Sequence, residues 1–218
     1  MRSSGDEREI RLRPAHRGDL SGISRVFVES FSDSIVHLFG RVPRNRLVFR
    51  DVFRLCLAAE PRAFIVADSG GQVVGYIFCP SDMKRLYRAA LRGGHLLRWL
   101  RHWLSGSYGF GLHPLRLLLL DKFSFIRESL KADHSADARV LSVGVDSEFR
   151  GRGVGGRLLE AGMAYLRGQG VTRVRLEVRP HNRPAVSMYE RYGFRKVGTM
   201  EDSMGPWEIM IYEDEGGF

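Results

Sequence analysis

Between Arg139 and Leu166 the sequence reads RVLSVGVDSEFRGRGVGGRLLEAGMAYL. An alternating β-rich run enters a glycine-dense turn, Arg150-Gly151-Arg152-Gly153-Val154-Gly155-Gly156, and the turn opens directly into an amphipathic run at helical spacing. A strand fed into a helix in this way predicts helices laid against a sheet. The same turn suggests chemistry. Successive N–H groups can converge on one point, the helix amino terminus favours negative charge, and glycine removes the Cβ that would hold an anion away. The turn reads as a phosphate cradle, with a purely structural glycine turn as the competing reading.

Two common phosphate loops fit it poorly. A nucleotide P-loop needs Lys followed by Ser or Thr, and Arg157 begins no such pair. Gly151, Gly153 and Gly156 formally satisfy GxGxxG, but the match follows the fourth predicted strand instead of opening the chain. The acid expected further on, Glu177, falls inside a strand and not at its tip.

The rest of the chain supplies the sheet and its cover. EIRLRP at 9–14 alternates and stops at proline, and an amphipathic helix is expected after Asp19. A second helix is expected over Arg44 to Glu60, where Pro61 ends it. AFIVAD and QVVGYIF, joined by Ser69-Gly70-Gly71, predict a hairpin. One strand should cover Ala138 to Val145, a helix Gly153 to Gln169, and a parallel strand Thr172 to Val178. A helix from Arg183 to Tyr192 and strands at 194–200 and 206–213 close the order, which describes a mixed sheet covered by helices.

Charge is concentrated in one place. Of a formal net charge of +9, +8 lies between Met83 and Arg127, where Asp121 is the single acid. Apolar residues at 83, 86, 87, 90, 91, 97, 100 and 104 predict one helical stripe bent at Gly93-Gly94, with Trp99 and Trp103 adding a second apolar surface. A further short helix is expected from Pro114 toward Leu130. Helices packed on the sheet or on a second subunit explain this pattern, and so does a surface for an anionic membrane or anionic carrier. Nucleic acid is disfavoured because the charge carries no recognition motif. Cys56 and Cys79 lie in apolar surroundings and read as buried small hydrophobes in a reducing cytoplasm, while the histidines lack metal-ligand spacing. The amino terminus lacks a signal-peptide apolar run, and Leu115–Leu120 is too short to span a bilayer. A cytoplasmic protein, at most peripheral at the inner membrane face, is the expectation.

Taken with LEVRPHNRPAVSMYERYGFRKVG at 176–198, the turn resembles the GCN5-related N-acetyltransferase superfamily. That family's acyl-CoA signature is Arg or Gln, two residues, Gly, one residue, then Gly or Ala, matched here by Arg150 to Gly155. The second segment resembles the bacterial ribosomal-protein alanine acetyltransferases, with Met188 in place of the usual leucine. The resemblance covers about 9–79 and 138–213 and leaves the basic segment outside.

It implies a mixed α+β acyl-CoA N-acyltransferase fold, one domain over 1–218 with 80–137 as a helical basic insert. The implied sheet is mostly antiparallel, of about seven strands flanked by helices. Acetyl-CoA is implied as acyl-donor substrate, with no metal. Arg150, Gly151, Arg152, Gly153, Val154 and Gly155 would cradle its pyrophosphate. Leu141, Ser142, Val143 and Val145 would follow the pantetheine arm, the Val143 N–H polarising the thioester carbonyl, with Asn182 and Arg183 near the arm. Glu177 would be general base and Tyr189 general acid. That division suits an amine that must lose a proton and a thiolate that must gain one. The expected acceptor is the primary amine of a small molecule or amino sugar. A protein amino terminus and a non-catalytic acyl-CoA-binding or scaffolding role are the alternatives, and a homodimer is compatible with each.

Overall fold

The alternating segment after Glu9 is strand β1 (Ile10–Pro14), and the two β-rich runs about Gly70-Gly71 are β2 (Phe64–Ser69) and β3 (Gln72–Phe78). Both glycines have positive φ, 62° and 86°, which suits a tight hairpin turn. The computed structural model describes residues 9–43, 46–109, 136 and 138–214. Within them the strand predicted over Ala138 to Val145 is two, β4 (Ala138–Arg139) and β5 (Ser142–Val145), followed by β6 (Arg173–Val178), β7 (Arg195–Asp202) and β8 (Gly205–Glu213). Helices α1 (Leu20–Ser30), α2 (Ser32–Phe39) and α3 (Leu47–Ala59) precede the hairpin, and α4 (Met83–Arg92) and α5 (His95–Leu104) follow it. Helix α6 (Val154–Gly168) leaves the glycine turn, and α7 (Arg183–Tyr192) follows β6.

The eight strands form two four-stranded sheets, β1-β2-β3-β5 and β4-β6-β8-β7, in which only β4 and β6 run parallel. The chain crosses between the sheets at Val140 and Leu141. Val140 N–H donates to the Arg175 carbonyl at 2.9 Å and Leu141 N–H to the Phe78 carbonyl at 3.0 Å. The ladder that follows already pairs Phe78 with Ser142, so two residues oppose one of β3. This is a β-bulge, and it turns the strand away from β6. Beyond it β5 stays with β3, and a gap opens beside the last residues of β6. The bulge is why one strand in the sequence becomes two in space.

Two cores cover the sheets. On one face Leu158, Leu159, Met163 and Leu166 of α6 pack with Ile65, Ile77, Val174, Leu176 and Tyr189. On the other, Phe53 of α3 and Ile23 and Val26 of α1 pack with Phe64, Tyr76 and Phe78. Cys56 and Cys79 are free thiols in this apolar interior, and burial pushes both up to about 12. No helix among the described residues is long and apolar enough to cross a membrane.

The basic segment differs from its sequence reading. The bend at Gly93-Gly94 is present, but the single stripe is not: Leu86 packs on the α1/α3 core, whereas Tyr87, Leu91, Leu97, Leu100 and Leu104 face solvent. Trp99 and Trp103 are half-buried. The split arises within α4 itself, where Leu86 turns inward and its neighbours Tyr87 and Leu91 turn outward, so the apolar residues there do not share one face. The helix expected from Pro114 to Leu130 lies outside the described residues.

Candidate active site

The gap beside the bulge collects most of the residues expected to act. The Asp146 N–H donates to the Val74 carbonyl at 2.9 Å, so Gly144, two residues earlier, presents its polar groups to β3 as well. Val143 and Val145 therefore turn theirs toward the gap. The Val145 carbonyl confirms that orientation by accepting from Arg150 Nε at 3.0 Å. At the bulge itself Tyr76 and Ser142 share a hydrogen bond of 2.7 Å, the tyrosine fully buried. Leu141 is exposed.

The glycine turn closes one end of the gap. Gly151 and Gly153 have φ of 73° and 75°, and Gly153 stands as N-cap of α6 with no side chain capping the helix. A Cβ on either would meet nothing within 4 Å, so the turn presents bare backbone toward open space. A Cβ on Gly155 would instead meet Met188 Sδ at 3.3 Å and Val145 Cγ2 at 3.8 Å, which places the α6 amino terminus directly between β5 and α7. Unfilled N–H groups, a helix field and missing Cβ atoms fit a pyrophosphate whose thiol arm enters the gap. The Arg150 side chain turns back to β5, and Arg152 lies over the Phe149 ring at 5.3 Å. Neither guanidinium points into the cradle through these contacts. Asn182 caps α7 by accepting from the Ala185 N–H, and Arg183 is exposed at its start.

The turn is anchored from behind by residues that sequence reading overlooked. Asp146 is buried and ion-paired with Arg25 of α1, which also donates to the Val73 carbonyl at 2.8 Å. Although burial opposes it, the Arg25 guanidinium with the Glu148 N–H holds the Asp146 carboxyl below its ordinary range. An acid set between an apolar strand and a glycine turn was the available signal, but its partner lies 121 residues away.

Tyr189 is 5% exposed and packs edge-on against Phe194 at 5.8 Å. Its hydroxyl makes no hydrogen bond among the described residues, and burial alone raises its pKa well above the ordinary tyrosine value. Burial likewise holds Tyr76 protonated, with Tyr189 near enough to add to the effect. The result is a neutral phenol close to the bulge with an unengaged proton.

Glu177 sits differently. Leu176 and Val178 enter the core under α6 and α7, so Glu177 points to the opposite face of its sheet. There it accepts from Arg175 Nε at 2.7 Å and Arg139 at 3.2 Å. Arg175 is 2% exposed, and burial holds its guanidinium below the ordinary value while Glu177 pulls it back up. Glu177→Gln should therefore cost about 2 kcal/mol, because the amide keeps one acceptor but no charge. At roughly 2–4 °C per kcal/mol that lowers the thermal midpoint by about 4–8 °C, read by calorimetry. An unchanged midpoint would show that Arg175 has other support.

The face that Glu177 looks toward carries α1 and α2. His37 Nε2 on α2 meets Ser203 Oγ, in the β7–β8 turn, at 2.8 Å. That turn is fastened to the end of β6 by Arg179, which pairs with both Asp202 oxygens at 2.9 Å and stacks on Trp207 at 3.9 Å.

A family model for the GNAT acetyltransferases matches residues 27–194. The chain belongs to the GNAT family. Among curated relatives, the mycothiol acetyltransferase of Propionibacterium freudenreichii is 47% identical over 77 residues, covering 35% of this chain and 24% of that protein. That of Acidothermus cellulolyticus is 39% identical over 140 residues, 64% of this chain and 32% of that protein. The chain thus spans about a quarter to a third of the length of these two relatives. Among solved structures, SsHAT aligns with TM-score 0.66 and 23% identity over 94% of this chain and 98% of its own. The ribosomal-protein-S18-alanine N-acetyltransferase from Escherichia coli aligns with TM-score 0.54 and 13% identity over 96% and 99%. These two show the shared GNAT fold. The expected subgroup is a finer matter: the sequence matches above are to mycothiol acetyltransferases, and the alanine acetyltransferase likeness is one of fold.

Proposed function

We propose that this GNAT protein transfers the acetyl group of acetyl-CoA to the primary amine of a small molecule or amino sugar. The observation that carries the reading is the gap opened by the Leu141/Ser142 bulge, with the bare α6 amino terminus at one end and nearby a neutral Tyr189 phenol that makes no hydrogen bond among the described residues. The pyrophosphate would lie on the 150–155 backbone and the pantetheine along Val143 and Val145, pairing like an added strand. The Val143 N–H would then stabilise the oxyanion as the amine nitrogen bonds to the thioester carbon. When the C–S bond breaks, the sulfur takes the Tyr189 proton, which solvent replaces. The amine proton goes to Glu177, directly or through water, which requires Arg139 or Arg175 to yield a lone pair on that carboxylate.

Two observations favour a small acceptor over a peptide. The His37–Ser203 contact ties α2 to the β7–β8 turn across the face that an extended chain would have to cross. The curated relatives, moreover, are named for acetyl transfer in connection with mycothiol, not with a protein. The test is acceptor profiling with acetyl-CoA and detection of released thiol, using amino sugars, simple amines and peptides with free α-amines. Thiol release with amino sugars or small amines and none with peptides is the expected result. Turnover confined to peptides would reverse the acceptor assignment, and CoA binding without turnover of any acceptor would favour the non-catalytic alternative.

A further inference from the structure

We propose that the outward face of α4 and α5 is a docking surface for an anionic lipid bilayer. The inference is independent of the acetyl-transfer reading. Six large apolar side chains stand in solvent on these two short helices: Tyr87 is 64% exposed, Leu91 72%, Leu96 46%, Leu97 72%, Leu100 47% and Leu104 74%. An exposed apolar surface of this density on a helix pair calls for a partner.

The face cannot turn inward to hide itself. Asp51 of α3 is fully buried and takes hydrogen bonds from the opposite side of α5 and the turn after it: His102 Nδ1 lies 2.8 Å from its carboxylate and the Tyr108 hydroxyl donates at 3.0 Å. Arg98 approaches the same carboxylate at 3.8 Å, and His95 is buried alongside. At the α4 end Leu86 is held in the α1/α3 core. Rolling α5 to cover its leucines would strip partners from a carboxylate with no access to water, and rolling α4 would pull Leu86 out of the core.

Charge selects the occupant. Neither helix contains Asp or Glu, while together they carry Lys84, Arg85, Arg88, Arg92, Arg98 and Arg101. Lys84, Arg92 and Arg101 are exposed and make no ion pair among the described residues. On α4, Lys84, Arg88 and Arg92 share the solvent side with Tyr87 and Leu91, and on α5 Arg101 flanks Leu97 and Leu104. A second copy of the same face would set these cations against their own kind, since neither helix carries an acid of its own. A bilayer with anionic headgroups meets both demands at once, since leucines enter the acyl boundary while the guanidiniums stay among the phosphates.

The test is cosedimentation of the full chain with vesicles of phosphatidylcholine alone and of phosphatidylcholine with phosphatidylglycerol, at low and high salt. Binding to the anionic vesicles only, weakened by salt, is expected. L97S/L104S and, separately, R92E/R101E should each reduce the partition by about tenfold or more. All four positions are exposed or lie on the solvent side, so these variants should keep the wild-type thermal midpoint. No binding to anionic vesicles, equal binding to neutral ones, or binding indifferent to L97S/L104S would overturn the proposal. So would a dimer in sedimentation velocity that L97S/L104S dissolves, which would assign the face to a second copy.

Discussion

Replacing Tyr189 with phenylalanine should lower kcat by about a hundred- to ten-thousand-fold, the usual range for losing a positioned proton donor. The affinity for acetyl-CoA should move little, because the ring contact with Phe194 survives in the variant. Stability should hold as well: the hydroxyl that disappears makes no hydrogen bond among the described residues, so no partner is orphaned. That combination separates chemistry from packing, since a tyrosine kept only for its ring would turn over normally as phenylalanine. The pH profile gives a second readout. Burial raises the Tyr189 pKa above its ordinary value of 10.0, so the protonated form persists to higher pH than in a free phenol. Wild-type kcat should therefore show no alkaline decline from this group up to pH about 10. Wild-type turnover by Tyr189→Phe would return the residue to the core.

What could be read in the sequence was local. The glycine turn and α6 follow from chain neighbours alone: helical spacing begins where the glycines end, and the observed Val154–Gly168 departs from the expected span by one residue at each end. Helix α7 likewise matches its expected bounds, with Asn182 as cap and Gly193 in the left-handed region after it. The resemblance named residues along the gap, but not what holds the gap open. The bulge depends on where the Phe78 carbonyl lies, and the anchor of the turn joins Arg25 to Asp146, 121 positions apart. The Tyr76–Ser142 and His37–Ser203 contacts span 66 and 166 positions. No periodicity reports such pairs. Asp51 is an intermediate case, since an acid on the apolar stripe of α3 signals a buried carboxylate, yet its partner His102 is 51 positions away in the basic segment. For that segment the spacing identified the apolar residues, and only the fold reveals which of them face solvent.

Gly155→Leu should abolish acetyl-CoA binding, a loss of about a hundredfold or more in calorimetry, with little change in thermal midpoint. The expectation rests on where the new side chain must go. A Cβ at Gly155 would lie against Val145 of β5, 3.8 Å away, and Met188 of α7, 3.3 Å away, beside the strand that borders the gap. Met188 is unbranched and able to give a few tenths of an ångström, so the fold tolerates the contact. The leucine branches beyond Cβ then fill the space that the pantetheine would need. Leucine also favours helix over glycine by about 0.8 kcal/mol at such a position, which offsets part of any strain. Gly153→Ala acts by another route, since its Cβ would meet nothing and the cost comes from the backbone. At φ 75° an L-residue costs about 1–2 kcal/mol, so the turn relaxes and binding should weaken by about tenfold. Gly168→Ala is the control on the same helix, far from the turn, with open space around its Cβ and no positive φ. It should leave binding unchanged. A cradle made of backbone predicts this order, Gly155→Leu worst, Gly153→Ala intermediate, Gly168→Ala silent. A phosphate held by the Arg150 or Arg152 side chains instead would leave Gly153→Ala near wild type.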